Sequence, residues 1–133
     1  MKIICIGRNY ADHAKELGNE IPENPVIFMK PDTAVLKKGS DFYIPEFSND
    51  VHYELEVVLK ISKGGKYIQE ENADKYFEEI GLGIDFTARD LQSKLKEKGL
   101  PWELAKGFDG SAVISEFYKK EDFDLKNLNF TLL

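Results

Sequence analysis

His52-Tyr53-Glu54-Leu55-Glu56-Val57-Val58-Leu59-Lys60-Ile61 is the stretch whose reading decides the fold of this chain. Successive side chains of a strand point to opposite faces, so Tyr53, Leu55, Val57, Leu59 and Ile61 share one apolar face. Glu54 and Glu56 share the other, with their Cα atoms about 7 Å apart, close enough for both carboxylates to converge on one cation. Glutamate is common on the wet face of a half-buried antiparallel strand, so the pair gains meaning only from its company.

That company is spread along a chain of one-domain size. With 133 residues, 42% of them hydrophobic, it can bury a real core but is too short for two domains, so residues 1–133 read as a single unit. No apolar run approaches a membrane span, and the opening Met1-Lys2-Ile3-Ile4-Cys5-Ile6-Gly7 reads as a first strand rather than a signal peptide. A net charge of -6 with scattered lysines argues against a nucleic-acid footprint. The single cysteine, Cys5, excludes an internal disulfide and fits a reducing, cytoplasmic setting. Flanked by Ile4 and Ile6, it reads as core rather than as a nucleophile with His13 as its base.

Local signals place the remaining elements. Residues 8–18 read as a short helix with Asn9 as N-cap and Gly18 as its stop, which puts His13 and Glu16 three apart on one face. Val26-Ile27-Phe28-Met29-Lys30 is a strand ended by Pro31, and residues 34–36 and 42–44 read as further short strands. Lys63-Gly64-Gly65-Lys66 is a turn, and residues 70–80, with apolar positions at helical spacing, read as an amphipathic helix. Residues 80–86 form an apolar strand that carries Asp85 inward, where a buried carboxylate needs a partner such as a cation. Residues 87–96 read as a helix bearing Arg89 and Gln92 on one face; the Arg89 guanidinium suits a substrate carboxylate or an ion pair with Asp90. Residues 104–110 read as a strand-to-loop passage exposing Lys106 between Ala105 and Gly107, with Asp109 as its surface partner in the plainer reading.

Four separated motifs occur in one order: Gly7-Arg8-Asn9-Tyr10 with Asp12-His13; Glu54-Leu55-Glu56; Gly83-Ile84-Asp85-Phe86-Thr87-Ala88-Arg89-Asp90 with Gln92; and Lys106 with Phe108-Asp109. In this pattern the chain resembles the fumarylacetoacetate hydrolase family, and within it the acylpyruvate hydrolase and oxaloacetate decarboxylase branch. The resemblance implies an α+β fold, a mixed and largely antiparallel β-roll-type sheet assembly with short helices, and a homodimer.

The resemblance also implies roles. Glu54, Glu56 and Asp85 would bind a divalent cation, Mg²⁺ or alternatively Mn²⁺, for which oxygen-only ligands are suited. His13 and Glu16 would lie on a lid and activate a water, with Lys106 stabilising an enolate as the third catalytic group. Arg8, Tyr10, Arg89 and Gln92 would hold a small 2-oxo acid. The implied activity is cleavage of the C–C bond of acylpyruvates, decarboxylation of oxaloacetate, or both. An isomerase or hydratase of dicarboxylic 2-oxo acids and an inactive metal-binding fragment are the alternatives. Residues 124–133 alternate like a strand and stop without a turn or cap, so the domain is expected to be truncated there, short of the family's Gly-Thr-Pro-Gly-type loop.

Overall fold

The computed structural model describes residues 1–10 and 23–132. Two antiparallel sheets carry the architecture. In the first, β1 (Ile3–Gly7) pairs with β2 (Val26–Lys30), Cys5 lying opposite Phe28. In the second, the long strands β3 (Val51–Ile61) and β4 (Phe77–Ala88) pair along their whole length. The short strands β5 (Ala112–Ile114) and β6 (Tyr118–Lys119) share the other edge of β4, both antiparallel. Two helices follow β4, α1 (Arg89–Glu97) and the single turn α2 (Glu103–Lys106). This is an α+β fold with antiparallel sheets and few short helices.

Apolar burial concentrates where β4 hands over to the helices. Ala88, Leu95 and Ala105 are buried there, with Leu91, Trp102 and Phe108 packed against them. Leu91 and Leu95 are four apart on α1 and so face the same side. The helix is stopped by Gly99, at φ 63°, while the Leu100 N–H closes on the Leu95 carbonyl at 2.9 Å. At its start the Asp90 carboxylate accepts from the Ser48 hydroxyl at 2.7 Å, the Leu91 N–H at 2.8 Å and the Asn49 N–H at 3.2 Å. The loop entering β3 is thereby tied to the helix leaving β4, which fixes the register of the two long strands.

Several sequence expectations are corrected. Residues 70–80 are not one helix: a 3-10 segment covers Glu70–Tyr76, and the chain is strand from Phe77 onward. Pairing overrides helical spacing, since Lys60 and Ile61 of β3 extend the ladder to Glu79 and Phe77, and the Ser62 N–H bonds the Tyr76 carbonyl at 2.8 Å. Thr87 and Ala88 remain in β4, so the helix begins at Arg89. Residues 104–110 open with the helical turn α2 in place of a strand. The segment 34–36 contributes only a bridge from Val35 to Ala112, and residues 42–44 form no strand; Phe42 instead stacks on Phe86, ring centroids 3.7 Å apart. Residues 124–132 form no strand. The expected helix over 8–18 lies mostly outside the described residues, and Arg8, which is described, has φ 57° rather than helical geometry. His13 and Glu16 lie outside the described residues.

Gly83 lies at a close approach of three strands in the second sheet. A Cβ there would stand 2.9 Å from Val58 Cγ2 and 3.0 Å from the Val113 carbonyl oxygen, one on each neighbouring strand. Overpacking of this kind costs about 1–3 kcal/mol, so Gly83→Ala is expected to lower the unfolding free energy by that amount in urea titration. An unchanged midpoint would mean that the strands part without cost.

Candidate metal and substrate site

The register of β3 and β4 builds the site. Glu54 lies directly opposite Asp85 and Glu56 opposite Gly83, so three carboxylates occupy one face around a position where β4 has no side chain. Two residues after Asp85, Thr87 points to the same face and is fully buried. Beyond the strand end, α1 brings in Arg89 and Gln92, and α2 brings in Lys106 as its last residue.

Lys106 sits at the centre. The residue is only 3% exposed, and its ammonium donates to Thr87 Oγ1 at 2.6 Å, Asp85 Oδ2 at 2.7 Å and Glu54 Oε2 at 2.8 Å. The Phe28 ring lies beneath it, 5.0 Å from its centroid. The other oxygen of Glu54 pairs with Arg89 Nη2, and Arg89 Nη1 donates to Gln92 Oε1 at 2.7 Å. Asp85 is likewise divided between cations, with Lys30 Nζ 2.9 Å from its Oδ1. Desolvation makes such buried pairs costly, and they persist only where each charge meets several partners, as here.

Neighbouring charge separates the two glutamates. Burial alone would raise the Glu54 pKa, but the Lys106 ammonium and the Arg89 guanidinium outweigh it and hold the group at about 2. Burial raises the Glu56 pKa, the charges of Asp85 and Glu54 raise it further, and a hydrogen bond from Tyr10 only partly opposes them, leaving it at about 7. Tyr10 therefore reaches the site through Glu56. Arg8 lies nearer Lys96, whose pKa is lowered first by burial and then by the charges of Arg8 and Arg89. Cys5 is pushed up to about 11 by burial and then by Asp85, the opposite of what a nucleophilic thiolate requires.

As they stand, the described residues contain no group of three His, Cys, Asp or Glu side chains converged for a metal ion. Lys106 and Arg89 instead take up the oxygens of Glu54 and one of Asp85. The donor set still fits a hard divalent cation, because all three candidate ligands offer oxygen, and Asp85 Oδ1 is buried with no aligned hydrogen bond.

Sequence reasoning missed three participants. Thr87 was legible, since it shares strand parity with Asp85. Lys30 shares parity with the buried Phe28 on β2, but an apolar strand ending in lysine ordinarily turns that lysine to water. Ser111, fully buried beside Lys106, gave no signal. The surface pairing of Lys106 with Asp109 is also corrected: Lys106 is buried among Glu54, Asp85 and Thr87.

A family model described as fumarylacetoacetate (FAA) hydrolase C-terminal matches residues 2–132. The chain belongs to the fumarylacetoacetate hydrolase family. It is 42% identical over 131 residues to the mitochondrial oxaloacetate tautomerase FAHD1 of Bos taurus, covering 98% of this chain and 59% of that protein. It is 45% identical over 129 residues to the mitochondrial oxaloacetate decarboxylase of Dictyostelium discoideum, covering 96% of this chain and 58% of that protein. The chain thus spans well under two thirds of these curated relatives. The crystal structure of fumarylpyruvate hydrolase from Pseudomonas aeruginosa in complex with Mn²⁺ and pyruvate superposes with a TM-score of 0.84 at 39% identity, covering 91% of this chain and 54% of that one. Among the described residues, no helix is long and apolar enough to cross a membrane.

The two glutamates predict opposite pH behaviour in the metal-free protein. Folding raises the Glu56 pKa from 4.5 to about 7, so between those values the folded chain binds more protons and stability falls as pH rises. Glu54, depressed from 4.5 to about 2, contributes stability that is present above 4.5 and lost only as pH falls through its folded value. Urea midpoints measured in EDTA between about pH 5 and pH 7.5 are expected to fall, and Glu56→Gln to flatten the decline. A decline of the same slope in the variant would assign it to another group.

Proposed function

We propose that this domain binds a divalent cation through Glu54, Glu56 and Asp85 and acts on a small 2-oxo acid through an enolate, with oxaloacetate as the preferred substrate class. The observation that carries the reading is the buried Lys106 ammonium, held at 2.6–2.8 Å by Thr87, Asp85 and Glu54. A cation excluded from water stabilises developing negative charge far better than one in solvent, and enolate formation develops such charge.

Charge balance supports the substrate class. Glu54, Glu56 and Asp85 carry three negative charges when ionised, against Lys30, Lys106 and Arg89. A bound divalent cation would leave these groups net positive, and Arg8 and Lys96 near Arg89 add to that charge, which suits an anionic substrate. The cation, Mg²⁺ or Mn²⁺, supplies Lewis-acid polarisation of the keto oxygen. The Mn²⁺ and pyruvate in the Pseudomonas aeruginosa relative support a divalent cation and a small 2-oxo acid as ligands of this fold.

The chain's own residues divide the remaining work. Arg89, oriented by Gln92 at 2.7 Å, presents a guanidinium for a substrate carboxylate, and Arg8 and Lys96 add positive charge beside it. Tyr10 bears on the site through its hydrogen bond to Glu56. Lys106 turns from the carboxylates towards the enolate oxygen as that oxygen gains charge. In decarboxylation the C3–C4 bond breaks, CO₂ departs with its carbon, and the electron pair remains as the enolate of pyruvate until C3 is protonated. In tautomerisation a C3 proton leaves and the keto oxygen is protonated. Neither reaction consumes an attacking water.

Hydrolysis of acylpyruvates is the second reading, favoured by the likeness to the fumarylpyruvate hydrolase. Here His13 with Glu16 would take a proton from water, whose oxygen attacks the distal carbonyl. The bond from that carbonyl carbon to C3 breaks, releasing the acyl group as a carboxylic acid and leaving the electron pair as the enolate of pyruvate, which the proton completes at C3. His13→Ala is expected to reduce this hydrolysis more than oxaloacetate turnover, as ratios of kcat on the two substrates. Equal losses would reject that role for His13.

The main test follows oxaloacetate enol absorbance and pyruvate release with Mg²⁺, with Mn²⁺ and in EDTA. Turnover is expected only with metal. Losing a preorganised charge-stabilising donor costs roughly 3–4 kcal/mol in the barrier, so Lys106→Ala is expected to lower kcat by two to three orders of magnitude. Turnover in EDTA, or a near-normal Lys106→Ala rate, would overturn the reading.

A further inference from the structure

Lys30 closes β2 and is 1% exposed, although Phe28-Met29-Lys30 would let an ordinary strand-end lysine reach water. Its ammonium, with three N–H donors, faces five acceptors. They are the carbonyl oxygens of Ser111 at 3.0 Å, Phe86 at 3.2 Å and Lys106, the Ser111 hydroxyl at 3.1 Å, and Asp85 Oδ1 at 2.9 Å. The Ser111 hydroxyl in turn donates to the same Lys106 carbonyl at 2.8 Å.

These acceptors belong to the segments that carry the site. Phe86 and Asp85 are in β4, Lys106 ends α2, and Ser111 precedes β5. A buried ammonium costs desolvation energy, which a methionine of similar length would not, so space filling does not account for a lysine here. What a lysine adds is a fixed point to which a strand, a helix end and a loop are all bonded. The carbonyl it holds is that of the residue whose side chain lies at the centre of the site, and the carboxylate it touches is one of the candidate ligands.

We propose that Lys30 is a positioning residue. By bonding the Lys106 main-chain carbonyl and contacting one oxygen of Asp85, it sets where the Lys106 ammonium meets Glu54, Asp85 and Thr87. It does not touch substrate. The inference rests on the proposed function only for its kinetic consequence; the placement of Lys106 is a property of the folded chain alone.

The experiment is residue-resolved reductive methylation of the full chain, read by peptide mass spectrometry, on the parent and on Lys30→Met. In the parent, Lys106 is expected to be protected, whereas Lys38 and Lys60, whose side chains are 88% and 52% exposed, label readily. In Lys30→Met, local opening is expected to label Lys106 at least about tenfold faster while Lys38 and Lys60 keep their rates. A lowered melting temperature with Lys106 still protected would make Lys30 merely structural and overturn the proposal.

On oxaloacetate, misplacement of Lys106 is expected to reduce kcat by about tenfold or more with KM within about twofold. A raised KM at unchanged kcat would also overturn the proposal. If the parent itself shows no turnover, the functional reading fails and the labelling result decides Lys30 by itself. Should Lys30→Met not fold, Ser111→Ala, which removes the hydroxyl shared by Lys30 and the Lys106 carbonyl, decides: faster Lys106 labelling upholds the proposal, and parental protection overturns it.

Discussion

A run of alternating charges, buried at Lys30, Asp85 and Lys106 and half-buried at Glu54 and Arg89, is the interaction on which the rest of the structure depends. Each member is costly to desolvate alone, and each is offset by its neighbour in the run together with hydrogen bonds to Ser111, Thr87 and Gln92. The run crosses from the small sheet through the large one to both helices. Satisfying it therefore requires β2, β4, α1 and α2 to be correctly placed together, which couples assembly of the fold to assembly of the site.

The same run explains why the two glutamates of β3 differ. Glu54 meets two cations and stays ionised, whereas Glu56 meets other carboxylates and holds its proton to about pH 7. Identical residues two positions apart on one strand face are thus given different proton affinities by the Lys106 and Arg89 cations that the helices bring to Glu54 and not to Glu56. A divalent cation would reverse the position of Glu56, because it would replace repulsion from Asp85 and Glu54 with attraction. It would also compete with Lys106 for Glu54 and Asp85, freeing the ammonium for a developing oxyanion. In the proposed function, metal binding and the placement of Lys106 would act through the same two carboxylates.

Parity and motif order made much of the site legible in the sequence. Glu54 and Glu56 share a face by alternation, and Asp85 faces them because β4 pairs with β3 in the register that sets it opposite Glu54. Arg89 and Gln92, three apart, meet at 2.7 Å as helical spacing requires. Local spacing failed where pairing partners were distant in sequence. Residues 77–80 have helical periodicity yet are strand, because Lys60 and Ile61 lie waiting across the hairpin. Spacing alone paired Lys106 with Asp109 at the surface, while the family resemblance put it in the site; the helical turn α2 carries it inward.

The sequence by itself determined the period-2 strand with its paired glutamates, the acidic and basic residue types of the site, and, through four ordered motifs, the family. These properties are local or cumulative along the chain. Only the tertiary structure decided which cation meets which carboxylate, that Thr87, Lys30 and Ser111 take part, and that Glu54 and Glu56 titrate apart. Such outcomes depend on distances between residues as far apart in sequence as Lys30 and Ser111, and on desolvation, which exists only once the surrounding elements have excluded water.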